Sequence, residues 1–325
     1  MRRILLLVNP IFERNGRRFL PGIRQVFEKA GVRVEILEAT PDRSAKDGIA
    51  RAVEEHLDAV IVCGGDGTVF DALQGLAGTE TPLGICPFGT GNILAQNLKI
   101  PLQPVEAARW LLAARPRPVP LGKITCPNAT GECSWFFAMA AGMGGHAAMM
   151  KAAERYGKHS AGKIAYFAAG FETLFTYPLE AFEIEITTVG GEVFQRQVSE
   201  LIAVRVAELN LWRPGGGLEL PFLRLATVEG ASRLRLAQAS VEALLLDEGR
   251  RDRSPKAHAG ARYEDVIRVD CRPIAGMQYK RPVTVEADGE ILGSSRATIE
   301  MADVQVRMLE NPSLNRGGTM GVNVE

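Results

Sequence analysis

The sequence predicts an α/β first half followed by a mainly antiparallel β second half. Three observations carry that expectation. Strand and helix signals alternate through about the first 115 residues, the hydrophobic period then changes to two, and prolines alternate where the change occurs.

In the first half, the short apolar run Ile4 to Val8 reads as a buried strand. Phe19 to Ala30 is amphipathic and is stopped by Gly31, which marks a helix. Val32 to Glu38 follows as a strand, Ala45 to Glu55 as a helix, and Ala59 to Cys63 as a buried strand. After a glycine turn, Val69 to Leu76 is helical, Leu83 to Ile85 is a strand, and helices start at Ile93 and span Pro104 to Ala114. Such alternation is what a parallel sheet covered by helices requires. Arg115 to Pro120, RPRPVP, favours extended polyproline and is read as the linker, so the expected domains are 1–120 and 121–310. Residues 311–325, rich in Asn and Gly, are expected to form a flexible tail.

Beyond the linker, Phe182, Ile184 and Ile186 alternate with Glu183, Glu185 and Thr187 up to a Gly190-Gly191 turn. The same alternation marks Leu201 to Val206, Leu234 to Leu236, Val266 to Val269, Val283 to Glu286 and Val304 to Met308 as strands. One helical island, Ala147 to Phe175, interrupts them.

Composition narrows the function. The 325 residues carry 38 basic and 38 acidic side chains, and the resulting zero net charge argues against a nucleic-acid binder. The longest uncharged stretch, Ser134 to Met150, is broken by glycines and is shorter than the roughly 20 apolar residues of a spanning helix. No transmembrane segment is expected, nor an export signal, since the first apolar run is too short for one. The five cysteines form no C-x-x-C pair, so reduced thiols in a cytoplasmic chain are expected rather than a disulfide framework or zinc site.

The chemistry concentrates in two glycine loops. GGDGTV, Gly64 to Val69, lies between a strand and a helix, where close-approaching main chain and a helix N-terminus favour phosphate. It is neither a Walker loop nor a G-x-G-x-x-G fingerprint. Asp66 sits where a carboxylate could hold a metal ion against phosphates. PFGTGN, Pro87 to Asn92, follows the next strand, and in an open α/β sheet both loops emerge at carboxyl ends of strands. Thr90 and Asn92 offer hydrogen bonds to a nucleotide, or act as helix caps. Asp288-Gly289 reads by itself as the tip of a hairpin joining VTVEA to EILG. GMGGH, Gly142 to His146, reads as a close-packed turn, and His146 and His159 have no metal-ligand spacing. Lys151, Arg155, Lys158 and Lys163 read as a solvated face, the alternative being a patch for anionic headgroups.

Taken in order, Asn9-Pro10, GGDGT at Gly64 to Thr68, GTGN at Gly89 to Asn92 and DGE at Asp288 to Glu290 resemble the diacylglycerol kinase catalytic-domain family. That family includes bacterial lipid kinases and the sphingosine and ceramide kinases. FAMAAGMGG at Phe137 to Gly145 and GKIAYFAAGFETL at Gly162 to Leu174 are similar to its middle segments, so the resemblance covers roughly Arg3 to Leu309. It implies a Rossmann-like three-layer nucleotide-binding domain, a mainly antiparallel β-sandwich domain and an ATP site in the cleft between them. Asn9, Pro10, Thr40, Gly64, Gly65, Asp66, Gly67, Thr68, Gly89 and Thr90 would line ATP, with Asn92 nearby. Asp288 would be the general base for a lipid hydroxyl. Glu290 would hold Mg2+ or orient Asp288, while Asp66 would organise metal and phosphate and is the rival base. The substrate lipid would be met at a membrane surface by transient peripheral contact, and a homodimer stays open.

The sequence also departs from the family pattern. Phe70 and Asp71 stand where the family usually has Asn and Glu, and Ile93 stands where an Asp is frequent. Leu225 to Leu236 lacks the Asp-Gly of a structural magnesium site that some bacterial members carry, and none is expected here. The rival readings are an NAD kinase of the same superfamily and a nucleotide-binding regulator without transferase activity.

Overall fold

The structure, a computed structural model, describes residues 1–9, 18–38, 45–129, 131–145, 179–209, 213–236, 238–239 and 260–311. Pro10, Thr40, the Ala147 to Phe175 island with GKIAYFAAGFETL, both histidines 146 and 159, the Lys151 to Lys163 group and the tail from 312 lie outside them. The chain divides into two compact units, residues 1–119 with the segment from 305, and residues 120–304.

Unit 1 runs β1 (Arg3–Val8), α1 (Leu20–Lys29), β2 (Arg33–Glu38), α2 (Ala45–Glu54), β3 (Ala59–Gly64), α3 (Asp66–Leu76), β4 (Leu83–Pro87), α4 (Ile93–Asn97) and α5 (Pro104–Leu112). Its strands are parallel in the order β4-β3-β1-β2. α1 packs on α5 and α2 on α3, the two helix layers of the α/β arrangement that the alternating signals predict. β1 and β3 read as continuous apolar runs because both faces of the central strands are covered; Leu5, Leu6, Leu7, Ile61 and Val62 are fully buried. α3 begins at Asp66, earlier than the apolar pattern places it, because Gly65 takes the extended N-cap conformation directly after the strand.

Arg115 to Pro120 is extended, as its prolines predict, and forms the start of β5 (Arg115–Asn128), which pairs with β14 (Ala297–Glu310); the division between the two units falls within it, after Val119. Prolines at alternate positions turn their missing N–H groups toward one edge, so Arg115, Arg117 and Val119 can still serve a strand. Arg117 reaches Glu310 at 3.0 Å.

Unit 2 adds β6 (Gly131–Phe137), β7 (Ala140–Gly144), β8 (Phe182–Thr188), β9 (Val193–Val204), β10 (Leu223–Glu229), β11 (Arg262–Pro273), β12 (Thr284–Ala287) and β13 (Glu290–Ser294). Neighbours in β13-β12-β7-β9-β10-β11 are antiparallel, and β8 pairs with both β9 and β11. β9 changes partner from β8 to β10 near Val198, and β11 from β10 to β8 at Val266, each beside a register shift. Long strands that switch layers through bulges make the corners of an antiparallel sandwich. Phe182, Ile186, Leu201, Leu225 and Val266 fill its interior.

Two local expectations fail. Leu234 to Leu236 is part of a helical turn, residues 233–236, with Leu234 70% exposed. Ser232 Oγ accepts from Arg235 N (3.4 Å), so a cap outweighs a two-residue apolar alternation. Gly142 to Gly144 lies in β7 rather than in a turn, because β9 and β12 hydrogen-bond it on both edges.

Arg205 is wholly buried between these strands. Its Nη1 donates to the carbonyls of Leu220 (2.6 Å) and Phe222 (3.0 Å), and its Nη2 to those of Pro120 (2.9 Å) and Leu218 (2.7 Å). Burial lowers its pKa to about 10, which leaves it protonated at neutral pH. Arg205→Met would strip a charged donor from four carbonyls, one buried and three partly buried. At roughly 1–3 kcal/mol for each group left unsatisfied, the expected loss is at least about 3 kcal/mol. Urea unfolding measures it, and an unchanged midpoint would remove Arg205 from the set of structural anchors.

Candidate active site

In unit 1 the strand ends bring the first group of predicted residues together. β1 delivers Asn9, whose Nδ2 donates to Thr68 Oγ1 (3.2 Å) in the first turn of α3. The two glycine turns that follow β3 and β4 touch directly. Phe88 N donates to Gly64 O (2.9 Å), and a Cβ placed on Gly89 would lie 2.8 Å from Gly65 Cα. Only glycine at 89 lets one main chain rest on the other at that distance. The second turn is closed by Asn92, in the left-handed region at φ 48°: its Oδ1 accepts from Gly89 N (2.8 Å) and its Nδ2 donates to Gly89 O (2.6 Å). Asn92 thus braces the loop from within, and its side chain makes no hydrogen bond that caps α4. Thr90 is exposed and Thr68 buried.

Asp66 joins the two turns. Its Oδ2 accepts from Ile93 N (3.2 Å) and its Oδ1 from Leu94 N (3.4 Å), so a carboxylate at the start of α3 caps α4. The start of α3 and the glycine main chain of both turns therefore share one end of the parallel sheet, an arrangement suited to phosphate oxygens. Phe70 is buried in the core face of α3, which accounts for an apolar residue where the family has a polar one; Asp71 is exposed.

Asp288 and Glu290 belong to unit 2. Asp288 (φ 48°) and Gly289 (φ 89°) form the two-residue turn between β12 and β13, as the Asp-Gly pair predicts. The Asp288 carboxylate is buried, and three main-chain amides between β6 and β7 converge on it. Oδ2 accepts from Ala138 N (2.8 Å), and Oδ1 from Met139 N (2.8 Å) and Ala140 N (2.9 Å). Asp288 N returns a bond to Ala140 O (2.8 Å). Burial raises the carboxyl pKa to about 7; the three amides pull against that rise, and the nearby Glu286 charge adds to it. Glu286, 3% exposed, accepts from Gly289 N (3.0 Å) and stiffens the same turn. Glu290 is half-buried at the start of β13.

Sequence reasoning missed Glu286, the Ala138–Ala140 amides and a second buried carboxylate, Glu200, whose Oε2 accepts from Gly145 N (2.5 Å). Glu286 lies two residues before Asp288, which was the available signal; amides leave none in a sequence. Among the described residues no three His, Cys, Asp or Glu side chains cluster as a metal site.

Residues 3–124 match the family model of the diacylglycerol kinase catalytic domain. A diacylglycerol kinase of Mycobacterium tuberculosis is 41% identical over 112 residues, 34% of this chain and 36% of the relative. A diacylglycerol kinase of Bacillus subtilis is 29% identical over 202 residues, 61% of this chain and 63% of the relative. The chain thus spans less than two thirds of either relative's length. The crystal structure of a diacylglycerol kinase from Bacillus anthracis superposes with a TM-score of 0.63 at 19% identity, over 96% of this chain and 98% of that one, and shares its fold.

If Asp66 braces the turns as described, Asp66→Ala lowers stability by about 1 kcal/mol, the usual worth of a cap, and Asp66→Asn by less. Chemical denaturation of the three proteins checks this; equal stabilities would leave the brace without energetic weight.

Proposed function

We propose that the protein is a lipid kinase, transferring the γ-phosphoryl group of ATP to a hydroxyl of a diacylglycerol, a sphingoid base or a similar lipid. One observation carries the reading: two glycine turns packed backbone on backbone at the carboxyl ends of β3 and β4, inside the segment matching the diacylglycerol kinase catalytic domain. The turn amides would receive the phosphates, with Asn9, Pro10, Thr40, Gly65 to Thr68 and Thr90 lining ATP and Asn92 holding the second turn in shape.

Asp288 is the proposed general base. A base works best when its pKa lies near the operating pH, and a carboxyl raised to about 7 meets that condition. Oδ1 accepts two amides and Oδ2 one, so Oδ2 keeps the lone pair that would take the lipid hydroxyl proton. Asp66 is proposed to hold Mg2+ beside the phosphates, and Glu290 either to hold Mg2+ or to orient Asp288. Their oxygen donors suit Mg2+, and a nucleotide-borne ion needs only one or two carboxylates beside phosphates and water. Bound there, Mg2+ would neutralise charge on the β- and γ-phosphates. No described helix is long and apolar enough to cross a membrane. The proposed enzyme reaches its lipid by transient contact with the bilayer surface.

Incubation with γ-labelled ATP and a lipid panel is expected to carry label into the organic phase, with products identified by mass spectrometry; label in NADP alone, or ATP binding without turnover, would reject the reading. Asp288→Asn is expected to lower turnover by about 10²–10⁴-fold with ATP binding retained. The base must be ionised to act, so wild-type turnover should rise with pH through about 7. A flat wild-type profile would take Asp288 out of the proton transfer.

A further inference from the structure

Cys126 and Cys133 face each other across the β5–β6 hairpin, in register as direct partners. Pro127, the next residue, has no N–H and so cannot exchange bonds with its partner Glu132. In an antiparallel ladder the exchanging and non-exchanging pairs alternate, which makes Cys126–Cys133 an exchanging pair with Cα atoms about 5.5 Å apart. Disulfides span Cα separations of about 4.4–6.8 Å. Both side chains project on the face that carries Ile124 and Trp135, whereas the Thr125 and Ser134 hydroxyls, 2.7 Å apart, mark the other face.

We propose that Cys126 and Cys133 form a reversible oxidation site that closes to a cross-strand disulfide on exposure to a peroxide. The half-buried Cys133 is the thiol an oxidant meets first, since Cys126 is 1% exposed. Its sulfur attacks the peroxide: an S–O bond forms, the O–O bond breaks, and water leaves with the thiol proton. Cys126 sulfur then displaces the sulfenic oxygen of Cys133; S–S forms, S–O breaks, and a second water carries away the Cys126 proton. Two thiols are oxidised and one peroxide is reduced to two waters. Burial raises the Cys126 thiol to about 11, and the neighbouring Cys133 adds to the rise, which argues against Cys126 as the thiol that first attacks the peroxide.

The bond would be labile. Cβ atoms of directly opposed residues stand about 4.5–5.5 Å apart, against about 3.8 Å in a relaxed disulfide. Closure must draw the strands together, and strained disulfides are the easily reduced ones. The other cysteine pair, Cys63 and Cys86, is also in register but wholly buried beneath the glycine turns on strands covered on both faces.

The intact protein, treated with hydrogen peroxide, alkylated and digested after Lys and Glu, tests this, because cleavage after Lys123 and Glu132 puts the two cysteines in separate peptides. The expected product is peptide 124–132 joined to peptide 133–151, two hydrogens lighter than the sum and separated by dithiothreitol. Cys126→Ser should convert the crosslink into a sulfenic, then sulfinic, Cys133. Any of three results overturns the proposal: a wild-type Cys133 sulfinic acid with Cys126 still alkylatable, a crosslink through another cysteine, or five unchanged thiols.

Discussion

A carboxylate taken out of water must recover its hydration from the protein, and at Asp288 the main chain supplies the replacement. Three amides from the segment between β6 and β7 converge on its two oxygens, and its own amide returns a bond to Ala140. That exchange ties the β12–β13 hairpin to β7 and holds a non-glycine residue at positive φ, a conformation Asp tolerates better than most residues. Burial still prevails over the amides, so the carboxyl sits near 7 rather than in the ordinary carboxylate range. An acid poised there changes protonation around neutrality, and the amides that satisfy it also fix the group's direction.

Main-chain partners recur wherever a charge enters the interior. Asp66 spends both oxygens on amides of α4, Glu200 accepts from Gly145, and Arg205 donates to four carbonyls. A helix as short as α4 would be marginal alone. Capped by Asp66 and preceded by the Asn92 brace, it becomes part of one rigid pair of turns. The close approach of Gly65 to Gly89 follows from the same economy: backbone takes the space that side chains would otherwise fill.

Most elements of unit 1 were legible because a parallel sheet punctuates itself, each apolar strand being followed by a glycine or polar turn and an amphipathic helix. The hairpin at Asp288-Gly289 was legible for a similar reason, since few pairs suit two successive positive φ values. Arg115 to Pro120 marked the boundary between the units but concealed its strand, because proline chemistry argues from the single chain, whereas β14, distant in sequence, supplies the pairing. The Gly142 to Gly144 segment misled in the same way: glycine suggests a turn until two flanking strands claim both of its edges.

Local order came from the chain itself: the alternation of periods, the glycine turns, the Asp-Gly tip and the family motifs are written in neighbouring residues, where propensity and spacing act. Tertiary structure alone decided which charges are buried and what satisfies them. Asp288 meets residues 138–140, and Asp66 meets 93 and 94, through amides that every residue but proline possesses. A partner common to nearly all residues has no signature in a sequence, and desolvation, which sets the acidity of Asp288, exists only once the surrounding strands have closed.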